Sequence, residues 1–124
     1  MDVSHVILRV SDLDRSLEFY RDRVGFAVLG ATDAFAFLDG GSIRVALNVR
    51  AEQPTDNSLT EIVLEVDDIV AEHTAMKARG ILFEVSPREV MRDGDRSLHA
   101  AHFADPDGHL WSITGWMPDG SAVR

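Results

Sequence analysis

The chain has no cysteine and few basic residues, and both features exclude classes of function. Because none of its 124 residues is cysteine, disulfides, thiolate metal ligands and a cysteine nucleophile are excluded. Only 12 residues are Lys or Arg against 21 Asp or Glu, which gives a net charge of −9. Binding to nucleic acid phosphates needs a basic surface, so no nucleic acid partner is expected. The acidity indicates either solubility or attraction of a cationic ligand, and net charge leaves both readings open.

Long apolar runs and common catalytic motifs are also absent. No run approaches the roughly 18 apolar residues that span a bilayer, and the N-terminus does not read as a signal peptide. The phosphate loop, the dinucleotide-binding glycine motif, the serine nucleophile elbow and the HExxH zinc helix do not occur. We therefore expect one domain, residues 1–124, in a cytoplasmic protein with no membrane partner.

A ten-residue sequence pattern occurs twice in the chain. Residues 4–13, SHVILRVSDL, return as residues 60–69, TEIVLEVDDI, so that Glu61 repeats His5 after 56 positions. Each copy reads as a strand followed by a capped helix, and three strand-like segments follow each helix. The pattern predicts an α+β fold with the order β-α-β-β-β in module 1, about residues 3–50, and again in module 2, about residues 59–116. Residues 51–58 are expected to be a linker, and 117–124 a loosely held tail.

Alternation along the predicted strands indicates which face of each sheet holds a ligand, because successive side chains point to opposite faces. One set of side chains in each strand is aliphatic and suits packing against the helices. The other set is mixed, as expected of a ligand cavity rather than of a second core. This mixed set comprises His5, Arg9, Arg44, Asn48, Glu61, Glu65 and Ser112.

Two longer motifs carry a family resemblance. They are residues 5–20, HVILRVSDLDRSLEFY, followed by VGF at 24–26, and residues 103–111, FADPDGHLW. Together they resemble the vicinal oxygen chelate superfamily, which groups glyoxalases, bleomycin-resistance proteins and extradiol dioxygenases, and the match covers about residues 3 to 115. The resemblance implies two βαβββ modules that form a curled mixed sheet around a cavity, with the helices on the outer face. It also implies a homodimer.

The metal-ligand positions of the family fall, by this resemblance, on His5, Ala46, Glu61 and Ser112. Two of these residues do not suit the role: alanine cannot bind a metal, and a serine hydroxyl is a poor ligand for a divalent ion compared with carboxylate or imidazole. His5 and Glu61 are then an incomplete metal set. His102 is a further candidate if Phe103 points towards the helices. No cofactor is expected, with a divalent metal as the alternative.

Other polar and aromatic residues have simpler readings. Glu61 is either an acid or base or a partner of Arg9 or Arg44. Trp111 is predicted to lie in the core, while His73 is expected at the surface or half-buried and His109 in solvent. His99 is expected on the face opposite to His102. Asp105, Asp107 and Gly108 indicate a tight turn.

Three functions are consistent with these residues. The favoured one is a metal-independent small-molecule binder that resembles the bleomycin-resistance proteins and sequesters an antibiotic. The second is a metal-dependent lyase, isomerase or dioxygenase that uses His5 and Glu61. The third is a metal-free enzyme in which His5 or Glu61 acts as an acid or base. The candidate ligand-binding residues are His5, Arg9, Arg44, Asn48, Glu61, Glu65, His102 and Ser112.

Overall fold

The computed structural model describes residues 1–50, 52 and 56–118. The chain divides into two compact units, unit 1 from Met1 to Asn57 and unit 2 from Ser58 to Arg124. Much of the expected linker (51 and 53–55) and tail (119–124) lies outside the described residues. No helix in the described part of the chain is long and apolar enough to cross a membrane.

Unit 1 is a four-stranded mixed sheet with one helical segment. Its strands are β1 (His5–Val10), β2 (Val28–Ala31), β3 (Phe35–Asp39) and β4 (Arg44–Val49). They lie in the order β1-β4-β3-β2, with β1 parallel to β4 and the remaining pairs antiparallel. Between β1 and β2 comes α1 (Leu13–Leu17), which continues as a π-helix over Glu18–Val24.

Unit 2 repeats this topology. Its elements are β5 (Glu61–Glu65), α2 (Ile69–Ala78), β6 (Phe83–Asp93), β7 (Arg96–Ala104) and β8 (Leu110–Pro118). The strand order is β5-β8-β7-β6, with β5 parallel to β8. The predicted α+β fold of two βαβββ modules is therefore confirmed.

The two helices begin at equivalent acidic caps. The side chain of Asp12 accepts a hydrogen bond from the N–H of Arg15 at 3.0 Å, and Asp68 does the same for Ala71 at 3.0 Å. Each bond satisfies a backbone donor that has no partner within the helix. The repeat of 56 residues thus extends from the first strand to the helix start.

The helical segment of unit 1 ends at Gly25. Gly25 has φ of 100°, in the left-handed region that favours glycine, and its N–H donates to the carbonyl of Tyr20. Inward from this segment lies an apolar core in which Tyr20, Leu38 and Leu47 are fully buried.

The core of unit 2 lies on the side of the sheet where α2 packs. Trp111, Phe103 and Ile113 are fully buried there, which confirms the core position predicted for Trp111. Close packing of β8 against α2 depends on Gly115, because a Cβ at that position would lie 3.0 Å from the carbonyl oxygen of Val66 and 3.2 Å from Cβ of Ile69.

Candidate functional site

Each unit has one sheet face that is not covered by its core, which we call its open face. In unit 1 the register aligns β1, β4 and β3 in three rows. The rows are His5, Arg44 and Asp39; Ile7, Ala46 and Phe37; and Arg9, Asn48 and Phe35. Most of these side chains are half-buried or exposed, whereas those pointing the other way, such as Leu8 and Leu47, are buried. The sequence-predicted set His5, Arg9, Arg44 and Asn48 therefore lies together.

The open face of unit 2 is built in the same way from β5, β8 and β7. Its rows are Glu61, Leu110 and Ala104; Val63, Ser112 and His102; and Glu65, Thr114 and Ala100. The predicted residues Glu61, Glu65, His102 and Ser112 share this face. Ser112 is only 2% exposed, so a ligand reaches its hydroxyl poorly.

The register makes Ala46 and Ser112 equivalent positions. Ala46 pairs with Ile7, two residues after His5, and Ser112 pairs with Val63, two residues after Glu61. The backbone pairing therefore agrees with the placement of Ala46 that the resemblance implies.

Glu61 interacts with His102. Nδ1 of His102 lies 2.7 Å from Oε2 of Glu61, and the two side chains are 24% and 32% exposed. The sequence-based partners for this carboxylate were Arg9 and Arg44, so the structure gives it a partner that spacing along the chain did not indicate. The contact with His102, which lies two strands away in the sheet and 41 positions along the chain, can be recognised only once the strand order is known.

The condition for placing His102 on the open face is met. Phe103 is fully buried on the α2 side, which turns His102 to the other face. His99 lies on the buried face, as expected, and its Nε2 is 2.9 Å from Oγ of Ser97. No register shift interrupts the pairing of β7 with β8 between them.

His5 has different neighbours from Glu61. Its Nδ1 lies 2.9 Å from Oγ of Ser4, and its ring meets the ring of Phe37 edge-on at a centroid distance of 5.2 Å. Phe37 holds in unit 1 the position that His102 holds in unit 2, because the two pair with Ala46 and Ser112 respectively. The equivalent first-strand residues therefore contact equivalent residues of different chemistry.

Phe37 is a residue of the open face that the sequence-based candidates did not include. Its ring also meets Phe35 at 5.0 Å, and the guanidinium carbon of Arg44 lies over it at 5.6 Å from the centroid. The alternation of Phe35, Phe37 and Asp39 along β3 was the signal that would have found it.

Two histidines are more deeply buried than the sequence indicated. His73 is 6% exposed, with its ring 4.5 Å from that of Phe83, and burial lowers its pKa, with Lys77 nearby adding to the effect. His109 was expected in solvent, but it is 9% exposed and its Nδ1 lies 2.7 Å from Oδ2 of Asp105. Both expectations were wrong because they judged each residue by its local segment, whereas neighbouring strands and turns cover it.

The turn after β7 is the tight, hydrogen-bonded turn that its sequence indicates. The other carboxylate oxygen of Asp105 accepts the N–H groups of Asp107 at 3.0 Å and His109 at 2.7 Å. Gly108 closes the turn by donating its N–H to the carbonyl of Asp105. These residues therefore build the hairpin.

The residues at the implied metal positions do not fit a complete metal site. Ala46 offers no donor atom, Ser112 offers a nearly buried hydroxyl, and the Glu61 carboxylate is already engaged by His102. No group of three or more His, Asp or Glu side chains suited to a metal occurs among residues 1–50, 52 and 56–118. Zinc sites in proteins use three or four strong protein ligands, which the implied positions do not supply.

Known proteins match the chain over nearly all of its length. The family model of the Glyoxalase/Bleomycin resistance protein/Dioxygenase superfamily matches residues 2–113. A probable lactoylglutathione lyase of Vibrio cholerae is 32% identical over 121 residues, covering 87% of this chain and 86% of that protein. The metallothiol transferase FosB of Lysinibacillus sphaericus is 27% identical, covering 94% and 84%.

Solved structures agree on the fold. The crystal structure of a glyoxalase/bleomycin resistance protein/dioxygenase from Nocardioides superposes with a TM-score of 0.75 at 20% identity, covering 100% of this chain and 90% of that one. With a family model that spans both modules and a relative more than 30% identical, the chain belongs to the glyoxalase/bleomycin resistance protein/dioxygenase superfamily.

Proposed function

We propose that this chain binds a small organic molecule without a resident divalent metal, and that it acts by sequestering that molecule, as an antibiotic-binding protein does. The observation that carries the proposal is the pair of equivalent positions Ala46 and Ser112. Neither offers a strong ligand, and both lie on open faces that mix polar, aromatic and aliphatic side chains. Such a mixture suits recognition of a small molecule.

The engagement of Glu61 supports the same conclusion. A carboxylate that ligates a metal offers its oxygens to the ion, but Oε2 of Glu61 lies 2.7 Å from His102. Bidentate binding of a metal by Glu61 would have to displace this interaction, so the carboxylate offers Oε1 alone. His5 is the other strong donor at the implied positions, and two donors fall short of the three or four of a zinc site.

Metal analysis tests the proposal directly. We expect protein purified without chelator to contain much less than one divalent ion per chain. Zn²⁺, Mn²⁺ or Ni²⁺ should also leave the unfolding temperature unchanged, because a ligand that binds only the folded state raises it. Stoichiometric metal that is lost in His5→Ala, but kept in the control His73→Leu, would refute the proposal.

Ligand binding is tested on chelator-treated protein. A panel of antibiotics that includes bleomycin is screened by thermal shift. A ligand at about 100 times its Kd should stabilise the fold by about 2.7 kcal/mol. We expect at least one compound to do so in the absence of metal, whereas stabilisation seen only after metal is restored would contradict the proposal.

A metal-dependent lyase, isomerase, dioxygenase or transferase is the second candidate. It is supported by the curated relatives, a probable lactoylglutathione lyase and a metallothiol transferase. Metal-loaded protein that acts on lactoylglutathione, with chelated protein inactive, would favour this candidate over the first.

A metal-free acid/base enzyme is the third candidate, and the contact between Glu61 and His102 supports it. A carboxylate bound to Nδ1 of a histidine fixes the orientation of the ring. The third hypothesis named His5 or Glu61 as the acid or base, and the contact adds His102 to these two. Metal-independent turnover that His102→Gln abolishes would distinguish it from simple binding.

The proposal also includes a cytoplasmic location and a homodimer. Support for the dimer comes from apolar side chains left on the open faces, such as Ile7 at 40% and Val63 at 54% exposure. Apolar surface of this kind is commonly buried by association.

A further inference from the structure

The open face of unit 1 has a local charge opposite to that of the whole chain. It carries the guanidinium groups of Arg9 and Arg44 and one carboxylate, Asp39, which accepts the N–H of Gly41 at 2.9 Å. Within the described part of unit 1, no carboxylate lies at ion-pair distance from either guanidinium. Two guanidiniums with no ion pair among the described residues of unit 1, on a chain of net charge −9, favour an anionic ligand.

Arg44 is already held in a defined place. Its guanidinium lies over the ring of Phe37, which in turn is supported edge-on by His5 and Phe35. Stacking on an aromatic face restrains a guanidinium while leaving its N–H donors available, and these match the two oxygens of a carboxylate.

Phe37 is the apolar surface available beside this guanidinium. Its ring is half-buried and lies in the middle row of the face. Ala46, between Ile7 and Phe37, is fully buried, so its neighbours cover its methyl group. Asn48, half-buried in the next row, offers a further polar group.

We infer that the open face of unit 1 is a binding site for a planar anion, an aromatic carboxylate, whose carboxylate pairs with Arg44 and whose ring packs against Phe37. This inference deepens the proposed small-molecule binding by naming the ligand class and rests on it. It differs from the cationic ligand that net charge suggests, because a ligand responds to the charges within a few ångströms rather than to the total.

The test uses sodium benzoate as the probe in an amide-resolved NMR titration of full-length, chelator-treated protein. Benzylamine, of similar shape and opposite charge, and cyclohexanecarboxylate, charged but not flat, are the comparison probes. We expect benzoate to shift amide signals of β1, β3 and β4, benzylamine to shift none of them, and cyclohexanecarboxylate to bind several-fold more weakly.

Variants assign the contact to its residues. Arg44→Gln should weaken benzoate about tenfold, as expected for loss of a charged hydrogen-bonding partner. Phe37→Leu should weaken it several-fold by removing the ring. Arg88→Gln, which removes an exposed arginine of unit 2, is the matched control and should bind as the unchanged protein does. Arg44→Lys keeps the charge but loses the paired N–H donors of the guanidinium, so its affinity for benzoate should lie between those of Arg44→Gln and the unchanged protein.

Two outcomes overturn the inference: equal binding of benzylamine, or unchanged benzoate binding in Arg44→Gln. Its failure is distinguishable from failure of the proposed function. If chelated protein binds an antibiotic in the thermal screen but not benzoate, only the anion site fails. If benzoate binds unit 1 only after Mn²⁺ is restored, and Arg44→Gln still weakens it, the metal-free function fails and the anion site stands.

Discussion

Equivalent residues of the two modules have diverged in chemistry while keeping their geometry. His5 and Glu61 begin equivalent strands, and each contacts the residue two strands away, Phe37 in one module and His102 in the other. One contact is a ring edge against a ring, and the other joins an imidazole to a carboxylate. The duplication therefore conserved which positions meet and changed what each position offers to a ligand.

His73 is a residue whose burial has a consequence for stability. Burial favours its neutral form and lowers its pKa below the ordinary value of 6.5, and the nearby Lys77 acts in the same direction. As pH falls through about 6.5, the unfolded chain takes up a proton that the folded chain resists, so the free energy of unfolding decreases. We predict that urea unfolding shows stability falling between about pH 7 and pH 5.

His73→Leu should flatten this dependence. It removes the titrating group together with Nε2, a buried nitrogen that has no hydrogen-bond partner within the described residues. His5→Gln is the control, because it removes a half-buried imidazole and should leave the His73 contribution in place. An equally steep loss of stability in His73→Leu would show that other groups cause it.

At the scale of residues, alternation along strands predicted the open-face set correctly. Arg9, Arg44, Glu61 and Ser112 lie on the predicted faces because the period of two follows from strand geometry alone. Partners across strands were not predictable in the same way, since the contact of Glu61 with His102 depends on strand order and register.

At the scale of elements, the repeat predicted the order of strands and helices but not their lengths. The sequence predicts the first strand after the helix of module 2 near residues 81–85, whereas β6 runs from Phe83 to Asp93. Register shifts interrupt its pairing with β7 at three places. Such irregularities break the alternation on which a sequence-based boundary depends, which is why the outer half of the strand was missed.

The hairpin between β7 and β8 depends on one carboxylate. Asp105 is buried, and it accepts two backbone N–H groups while its second oxygen lies 2.7 Å from Nδ1 of His109. Asp105→Ala leaves these donors buried without an acceptor, so we expect a loss of about 3 kcal/mol in the free energy of unfolding.

Chemical denaturation measures this loss. Asp33→Ala, in the exposed turn between β2 and β3, is the matched control and should change stability by less than about 0.5 kcal/mol. If both variants lose the same small amount, then hydrogen bonding by Asp105 does not hold the hairpin, and the backbone turn at Gly108 is sufficient.

At the scale of the whole molecule, net charge is a poor guide to what the open faces bind. Solvated carboxylates spread over helices and turns set the total of −9, whereas the open face of unit 1 carries two guanidiniums and one carboxylate. Screening limits the reach of each charge to about 10 Å at ordinary ionic strength. The sequence gives the net charge of the chain, but the charge of one sheet face can be known only when the neighbouring strands are known.

The exposed apolar side chains of the open faces lead to a prediction about assembly. Ile7 and Val63 occupy equivalent central positions, and each is left 40% or more exposed. We predict that the protein sediments as a homodimer at micromolar concentration, because burying such side chains stabilises an interface by about 25 cal/mol per Å² of apolar area.

Ile7→Glu and Val63→Glu should each shift the population towards monomer, since a carboxylate loses its hydration on burial. Leu82→Glu, at a position 86% exposed and outside both open faces, should sediment as the unchanged protein does. Dissociation by Leu82→Glu but not by the other two would place the interface elsewhere on the chain.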